Sequence, residues 1–465
     1  MIRARFFTRT ALGLVVALGV AAGTAAPAMA KDKEKSAKEA KAPELKPSKA
    51  YIPAYKAAKD GLDAAAKRAD VVAARQKLVN AQNAYNAATG KKGRADAQVQ
   101  IDAATTELSG LLTAEKGLVE AAIAAATVPD DKDLSGGLLL TLGNLSANKS
   151  IQRRGVQMRI DSGRISAADM PKFNAILGSL SMDLKDYATA RTALKAAMDA
   201  GYTENDVAIL LADAHIKDGQ QAAGLQVLKD ASAKAGAAVP AEWLRYGVAV
   251  AYKAKLADDA SWFANMLTTH HATTENWSLS LAVVRDLRGY AGQDQIDLLR
   301  LMERTKSFLE ERDYVDYIQA ADPRRLPGEA LKIINQGLAA GKLSPADQFV
   351  TDAKAQATGR IGPDKASLAA LQKDARAAGA TAATASAAGD AYLSYDDAAT
   401  AEAMYAIALG KPGVDATRVQ LRMGIAQADQ GKWADAEASF AKVTDARAPI
   451  AQLWTSYVRN KAAGK

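Results

Sequence analysis

Residues 420–443 read QLRMGIAQADQGKWADAEASFAKV. Apolar residues recur at three and four spacing on both sides of Gly431, which is the rhythm of two amphipathic helices joined by a turn. The rhythm returns 35 residues earlier, in Gly389, Tyr392, Asp396, Ala401, Tyr405 and Ala408. Further back, Gly178 is followed by Tyr187, Ala190, Leu194 and Ala197. Ala212 is followed by His215, Gly219, Gly224, Leu228 and Ala231, and Gly247 by Phe263. Gly143 is followed by Gly155 and Ser162. Positions 143, 178, 212 and 247 step by 35, 34 and 35. A fixed period of this size marks a repeat array.

The stretch 420–443 resembles a tetratricopeptide repeat, a 34-residue helix–turn–helix with small residues where its helices cross and large ones in the gaps. The resemblance implies that Gly424 is the small crossing residue of the first helix and Gly431 the turn. Trp433 then opens the second helix, Ala436 faces Gly424, and Phe440 is the large plug. Close crossing tolerates no bulk at the contact, and the splayed ends need bulk to avoid cavities. By the same resemblance Gly178, Ala190, Ala212, Gly224, Gly247, Gly389 and Ala401 are packing positions. The next slot, Leu281, is not small. Two further units fit loosely near Ile318 and Ala353, with second helices at Pro327–Leu338 and Ala366–Ala378. The implied fold is all-α, a right-handed superhelical α-solenoid.

Five segments follow. Residues 1–30 read as a signal peptide, 31–50 as a disordered Lys-rich linker, and 51–128 as a helical hairpin, degenerate repeats or a short coiled coil. Residues 129–447 hold about nine repeats, clearest at 171–238 and 382–447, and 448–465 form a capping helix and tail. In 51–128, Ala57–Thr89 and Ala95–Ala126 look like one long hairpin broken at Gly90-Lys91-Lys92-Gly93. The last helix ends in Arg459, Asn460 and Lys461, as expected of a cap that shields a terminal apolar face.

Composition agrees with helices. Aromatics are 6% of the 465 residues, and residues 380–408 hold 13 alanines in 29 positions. Strands want β-branched and aromatic residues instead. The net charge of +8 is local: residues 1–30 and 31–49 each contribute +3, which leaves +2 for the rest. A folded basic face for nucleic acid is therefore not expected. Arg3, Arg5 and Arg9, the apolar run 11–22 and Ala28-Met29-Ala30 form an export signal, with cleavage expected between Ala30 and Lys31. The expected location is periplasmic or secreted. The tract 31–49 reads as a solvated tether, with a weak envelope-surface contact through its lysines as the sharper reading.

The chain has no cysteine and three histidines, His215, His270 and His271. Thiolate metal sites, disulfides and a cysteine nucleophile are excluded. His270 and His271 point about 100° apart on a helix and cannot chelate one ion together, so they read as a helix C-terminal cap. His215 reads as a partly buried packing residue. Gly359-Arg360-Ile361-Gly362 and Gly90–Gly93 lack the Walker spacing and read as turns. No catalytic residue, cofactor or metal ligand is expected.

The resemblance implies a non-catalytic scaffold that binds peptides or partner proteins in a concave groove lined by first helices, outside the cytoplasm, in envelope assembly or secretion. Carried-over groove positions are Asp213, Arg285, Asp390, Arg418 and Ile425. The competing readings are a cell-wall-associated enzyme or its accessory factor, because some lytic transglycosylases have a similar superhelix, and a small-ligand carrier. A self-assembling structural protein is a further alternative.

Overall fold

A computed structural model describes residues 45–464 apart from Ala291, and no side chain is described for Asn205. The signal-peptide segment 1–30 and linker residues 31–44 lie outside the described residues. Those described form 22 α-helices packed as sequential antiparallel pairs. The chain divides into two compact units, residues 1–227 and 228–465.

In the first unit, α1 (Tyr51–Ala65) packs on α4 (Thr113–Ala125), and α2 (Ala69–Ala87) packs on α3 (Lys91–Leu111). The long hairpin expected over 57–126 is thus four helices, and only its middle, α2–α3, is a hairpin. Arg68 explains the break before α2: its guanidinium donates to the Leu111 carbonyl at 2.7 Å and to Glu115 at 2.9 Å, fixing a corner. Lys91–Gly93, expected as a turn, is the first turn of α3, and Gly90 is its N-cap. The core of this region is Tyr51, Leu62, Leu108 and Val119.

Three pairs follow: α5 (Pro129–Leu145) with α6 (Lys149–Asp161), α7 (Met170–Asp183) with α8 (Tyr187–Asp199), and α9 (Val207–Lys217) with α10 (Gln221–Ala235). Residues 45–50, expected as disordered linker, are held against α5. Lys46 N donates to Asp130 at 2.8 Å, and Ser48 donates to Asp131 through N at 2.9 Å and Oγ at 2.8 Å. Those carboxylates sit at a helix N-terminus, where backbone donors and dipole favour negative charge.

The second unit runs through α11 (Ala241–Lys253), α12 (Ala257–His270), α13 (Thr274–Arg288), α14 (Gly292–Arg304), α15 (Glu311–Ala321) and α16 (Pro327–Ala339). It continues with α17 (Gln348–Arg376), α18 (Ala382–Ser394), α19 (Ala398–Leu409), α20 (Ala416–Asp429), α21 (Trp433–Phe440) and α22 (Ala448–Ala462). His271 is the C-cap of α12, and its Nε2 lies 2.8 Å from the Val239 carbonyl. His215 is partly buried and its Nδ1 meets Gln220 at 2.9 Å.

In α7–α8 and α18–α19 the pair turns through a left-handed residue followed by a capping aspartate. Lys185 (φ 60°) precedes Asp186, whose carboxylate accepts from Thr189 N, and Asp396 (φ 60°) precedes Asp397, which accepts from Thr400 N. Such caps satisfy the orphan donors of the second helix. A Cβ on Gly178 would lie 2.4 Å from Leu194, on Gly247 2.4 Å from Phe263, on Gly389 2.5 Å from Tyr405 and on Gly424 2.4 Å from Phe440. The bulky partner always sits sixteen residues on. Gly424 therefore lies against the Phe440 ring, which fills the space a Cβ would take. Ala190, Ala401 and Ala436 are fully buried beside these contacts. In α9–α10 the roles are exchanged: a Cβ on Gly224 would lie 2.7 Å from the Ala212 carbonyl. In α5–α6 the approach is close along two turns: a Cβ on Gly155 would lie 2.8 Å from the Gly136 carbonyl, and one on Gly143 2.8 Å from the Gln152 backbone N.

Two further expectations change. The unit placed near Ala353 is no helix–turn–helix; α17 is one helix of 29 residues with Pro363 inside it. Gly359 and Gly362 take no positive φ, so the expected turn is helix interior. Tyr395 Oη donates to Asp364 at 2.7 Å and Tyr392 Oη to the Leu368 carbonyl at 3.0 Å, which holds the middle of α17 to α18. The last helix, α22, has a second neighbour besides the repeat that a cap would shield. It packs on α12 as well as α21, with Ile450, Trp454 and Val458 buried and Asn460 donating to the Thr268 carbonyl at 2.9 Å.

Candidate functional site

In the second unit, second-position helices α12, α14 and α16 contact first-position helices α18, α20 and α22. The face expected to be a groove is thereby filled by the chain itself. Arg422 on α20 lies at its centre. Its Nε is 3.1 Å from Asp297 Oδ2, its Nη1 2.6 Å from Asp390 Oδ2 and its Nη2 2.9 Å from the Gln293 carbonyl. Tyr405 Oη donates to the other Asp390 oxygen at 2.8 Å. Arg300 continues the network, at 2.9 Å from Asp297 and 2.8 Å from both oxygens of Glu329, which also accepts from Tyr317 Oη at 2.6 Å. Burial works to raise the Glu329 carboxyl, yet the charge and hydrogen bonds of Arg300, with the Tyr317 hydroxyl, hold it down at about 2. Burial pushes the Tyr317 and Tyr405 hydroxyls well above the ordinary tyrosine range. Around this network, Trp454 Nε1 donates to the Asp297 carbonyl at 2.9 Å and Arg304 pairs with Asp429 at 2.7 Å.

The five groove positions are therefore not brought together at an open surface. Ile425 is fully buried, and Asp390 is 7% exposed inside the network. Arg285 is 7% exposed, held 3.4 Å from Asp316 and 3.6 Å from Asp313. Arg418 is partly exposed and lies 3.6 Å from both Asp294 and Asp415. Asp213, in the first unit, pairs with Lys217 one turn on at 2.7 Å. Arg422 and Tyr405 account for the charge at 390, whereas the buried Nε and Nη1 of Arg285 have carboxylates nearby but no hydrogen-bond partner among the described residues.

An open depression of about 680 Å³ lies instead in the first unit, over α6. Ile123 and Ala126 from the end of α4, Met158 from α6 and Leu177 from α7 contribute its apolar surface. Its polar rim includes Lys132, Arg153, Arg154, Asp161 and Asp186. Arg153 Nη1 donates to Asp186 Oδ2 at 2.8 Å and Arg154 Nη2 to Glu120 Oε2 at 3.0 Å, so ion pairs hold α6 to α8 and α4 across it. The Arg154 guanidinium keeps the Glu120 carboxyl below the usual carboxylate range. Lys132 is exposed. None of the sequence-derived positions lines this depression. The adjacent cations Arg153 and Arg154 were its one legible signal, and nothing in their spacing marks them as a rim.

These features define an all-α helical-repeat protein of sequential antiparallel helix pairs. No protein-family model matches the chain, and no curated protein matches it. Among solved structures it is similar to a chain in "Structure of Naa15/Naa10 bound to HypK-THB", with 13% identity and a TM-score of 0.38. The likeness covers 89% of this chain and 65% of that one. No helix among the described residues is long and apolar enough to cross a membrane.

Proposed function

We propose that this protein is a non-catalytic helical-repeat scaffold, exported from the cytoplasm, that binds a polypeptide segment of a partner protein in the depression over α6. The carrying observation is that depression. Its volume suits several side chains, its floor is apolar, and its rim offers paired charges that a polar peptide backbone or side chain can engage. In the second unit, by contrast, the matching face of α18, α20 and α22 is filled from within. A tetratricopeptide-like architecture supports the reading as an analogy of fold, which constrains the kind of surface more than its ligand.

The test is site-directed photo-crosslinking in intact cells. A photoreactive residue replaces Gln157 on the rim, and a control replaces Gln76 on the remote hairpin. Adducts from position 157 that disappear on Met158→Glu support the reading. Adducts shared equally by both positions, or indifferent to Met158→Glu, would overturn it. Fractionation of the same cells tests export independently.

A further inference from the structure

The second unit closes on itself along one seam. Its first arm runs from α11 to α16, its second from α18 to α22, and α17 joins them. At the α17 end the arms meet tightly: a Cβ on Gly328 of α16 would lie 2.5 Å from the Tyr395 ring of α18, and Lys332 pairs with Asp396 at 3.0 Å. At the other end α12 and α14 meet α20 and α22, and that seam is rich in polar links. Arg422 and Trp454 reach Asp297, Arg304 reaches Asp429, and Arg447 reaches Asp294 at 2.8 Å. Ser456 Oγ lies 2.7 Å from both Thr269 Oγ1 and Asn265 Oδ1, and Tyr290 Oη donates to the Ala446 carbonyl at 2.7 Å. A depression of about 310 Å³ lies along the same seam, lined by Asn265 of α12 and by Phe440, Ala441 and Ala451 of the second arm, so the arms do not pack completely there.

The cations of the seam, and its buried acid Asp297, have partners in their own arms as well. Asp297 has Arg300 at 2.9 Å, and Arg422 has Asp390 at 2.6 Å. Arg304 holds Glu303 at 2.6 Å, and Arg447 holds Asp415 at 2.9 Å. The remaining acids, Asp294 and Asp429, already touch solvent. Trp454 stacks on Phe440 and meets Tyr457 edge-on, both in its own arm. Breaking a buried ion pair is costly when it strands a charge, and parting these arms strands none.

We propose that the second unit opens along this seam, hinging at its α17 side, and that α14 is an intramolecular cover over one face of α20. Ile425 stands one turn from both Arg422 and Asp429, which places it on the covered face, and it is fully buried in the closed ring. Opening parts Arg418 and Arg422 from Asp294 and Asp297 and brings Ile425 to solvent. The helix pairs within each arm stay folded. Polar contacts between parts of one chain are the kind that move, and an opening of this sort needs less free energy than unfolding the unit.

Thiol labelling of the purified protein, read by peptide mass mapping, tests this, because the chain has no cysteine of its own. Ile425→Cys reports the covered face. Ser439→Cys and Ser280→Cys are the references, since Ser439 bonds to Gln427 within the second arm and Ser280 to the Ala264 carbonyl within the first. Both are buried and need their own arm to unfold. The thiol at 425 is expected to react roughly tenfold faster than either reference, or more. Thr269→Cys with Ser456→Cys, at hydroxyls that touch across the seam, supplies a lock. Oxidised to a disulfide, it should slow the 425 thiol to the reference rate, and reduction should restore the fast rate. Equal rates at all three sites overturn the proposal, because the ring then opens only by unfolding. So does a fast 425 thiol that the lock does not slow, because the change from isoleucine has then loosened α20 by itself.

Discussion

Replacing Gly424 by alanine isolates the contact on which the repeat rhythm rests. The added Cβ would lie 2.4 Å from Phe440 Cε1 and 2.7 Å from Cδ1. The ring is held in place: it is 2% exposed and stacks on the fully buried Trp454 with centroids 6.0 Å apart. Overpacking of this kind costs about 1–3 kcal/mol, while exchanging a mid-helix glycine for alanine returns about 1 kcal/mol. Gly359→Ala supplies the reference, because nothing lies within 4 Å of its added Cβ in α17 and the helix gain remains. Gly424→Ala is therefore expected to be less stable than Gly359→Ala by about 1–3 kcal/mol. Urea unfolding followed by tryptophan fluorescence is the assay. All five tryptophans (Trp243, Trp262, Trp277, Trp433 and Trp454) lie in the second unit, so the signal reports that unit without the first. Phe440→Leu should recover part of the loss in the Gly424→Ala background while destabilising the unaltered chain, a sign change that only direct contact produces. Equal stability of the two alanine variants would refute the crossing argument, and with it the reading of Gly178, Gly247 and Gly389.

The buried network yields two more expectations. Arg422→Met leaves Asp297 and Asp390 without their shared cation and should cost the second unit about 3–5 kcal/mol by the same fluorescence titration. Glu329, held at about 2 in the folded state, ordinarily titrates near 4.5. A carboxyl depressed on folding contributes stability that is fully present above its unfolded value and is lost as pH falls through the folded one. Stability of the second unit should thus decline between about pH 4.5 and 2, and more steeply than that of Glu329→Gln measured in parallel; matching slopes would remove Glu329 as the cause.

What was legible in the sequence is what is local. A glycine and its bulky partner are sixteen residues apart, and a left-handed turn residue stands beside its cap, so one window of about 35 residues holds a whole pair. The same locality explains the misreadings. Gly143 keeps the period and lies against α6, where its Cβ would be 2.8 Å from the Gln152 backbone N, but the period says nothing of Gly136 and Gly155, which extend the same close approach two turns further along. Gly359 and Gly362 punctuate α17 on paper yet stay helical, since Tyr392 and Tyr395 of α18 hold it from outside.

The groove failed for a deeper reason. Whether a first-position helix faces solvent depends on what returns to meet it, and here the returning contacts join residues far apart in sequence. Arg422 reaches Asp297 across 125 positions and Asn460 reaches Thr268 across 192. No period records such meetings. Arg418 and Arg422 sit one turn apart on one helix face, and no propensity distinguishes them. Arg418 remains partly exposed, while Arg422 is 3% exposed among carboxylates. A charge on a repeat's inner face therefore marks a ligand site only when the acids of the same chain cannot reach it, and that is a property of closure rather than of the repeat.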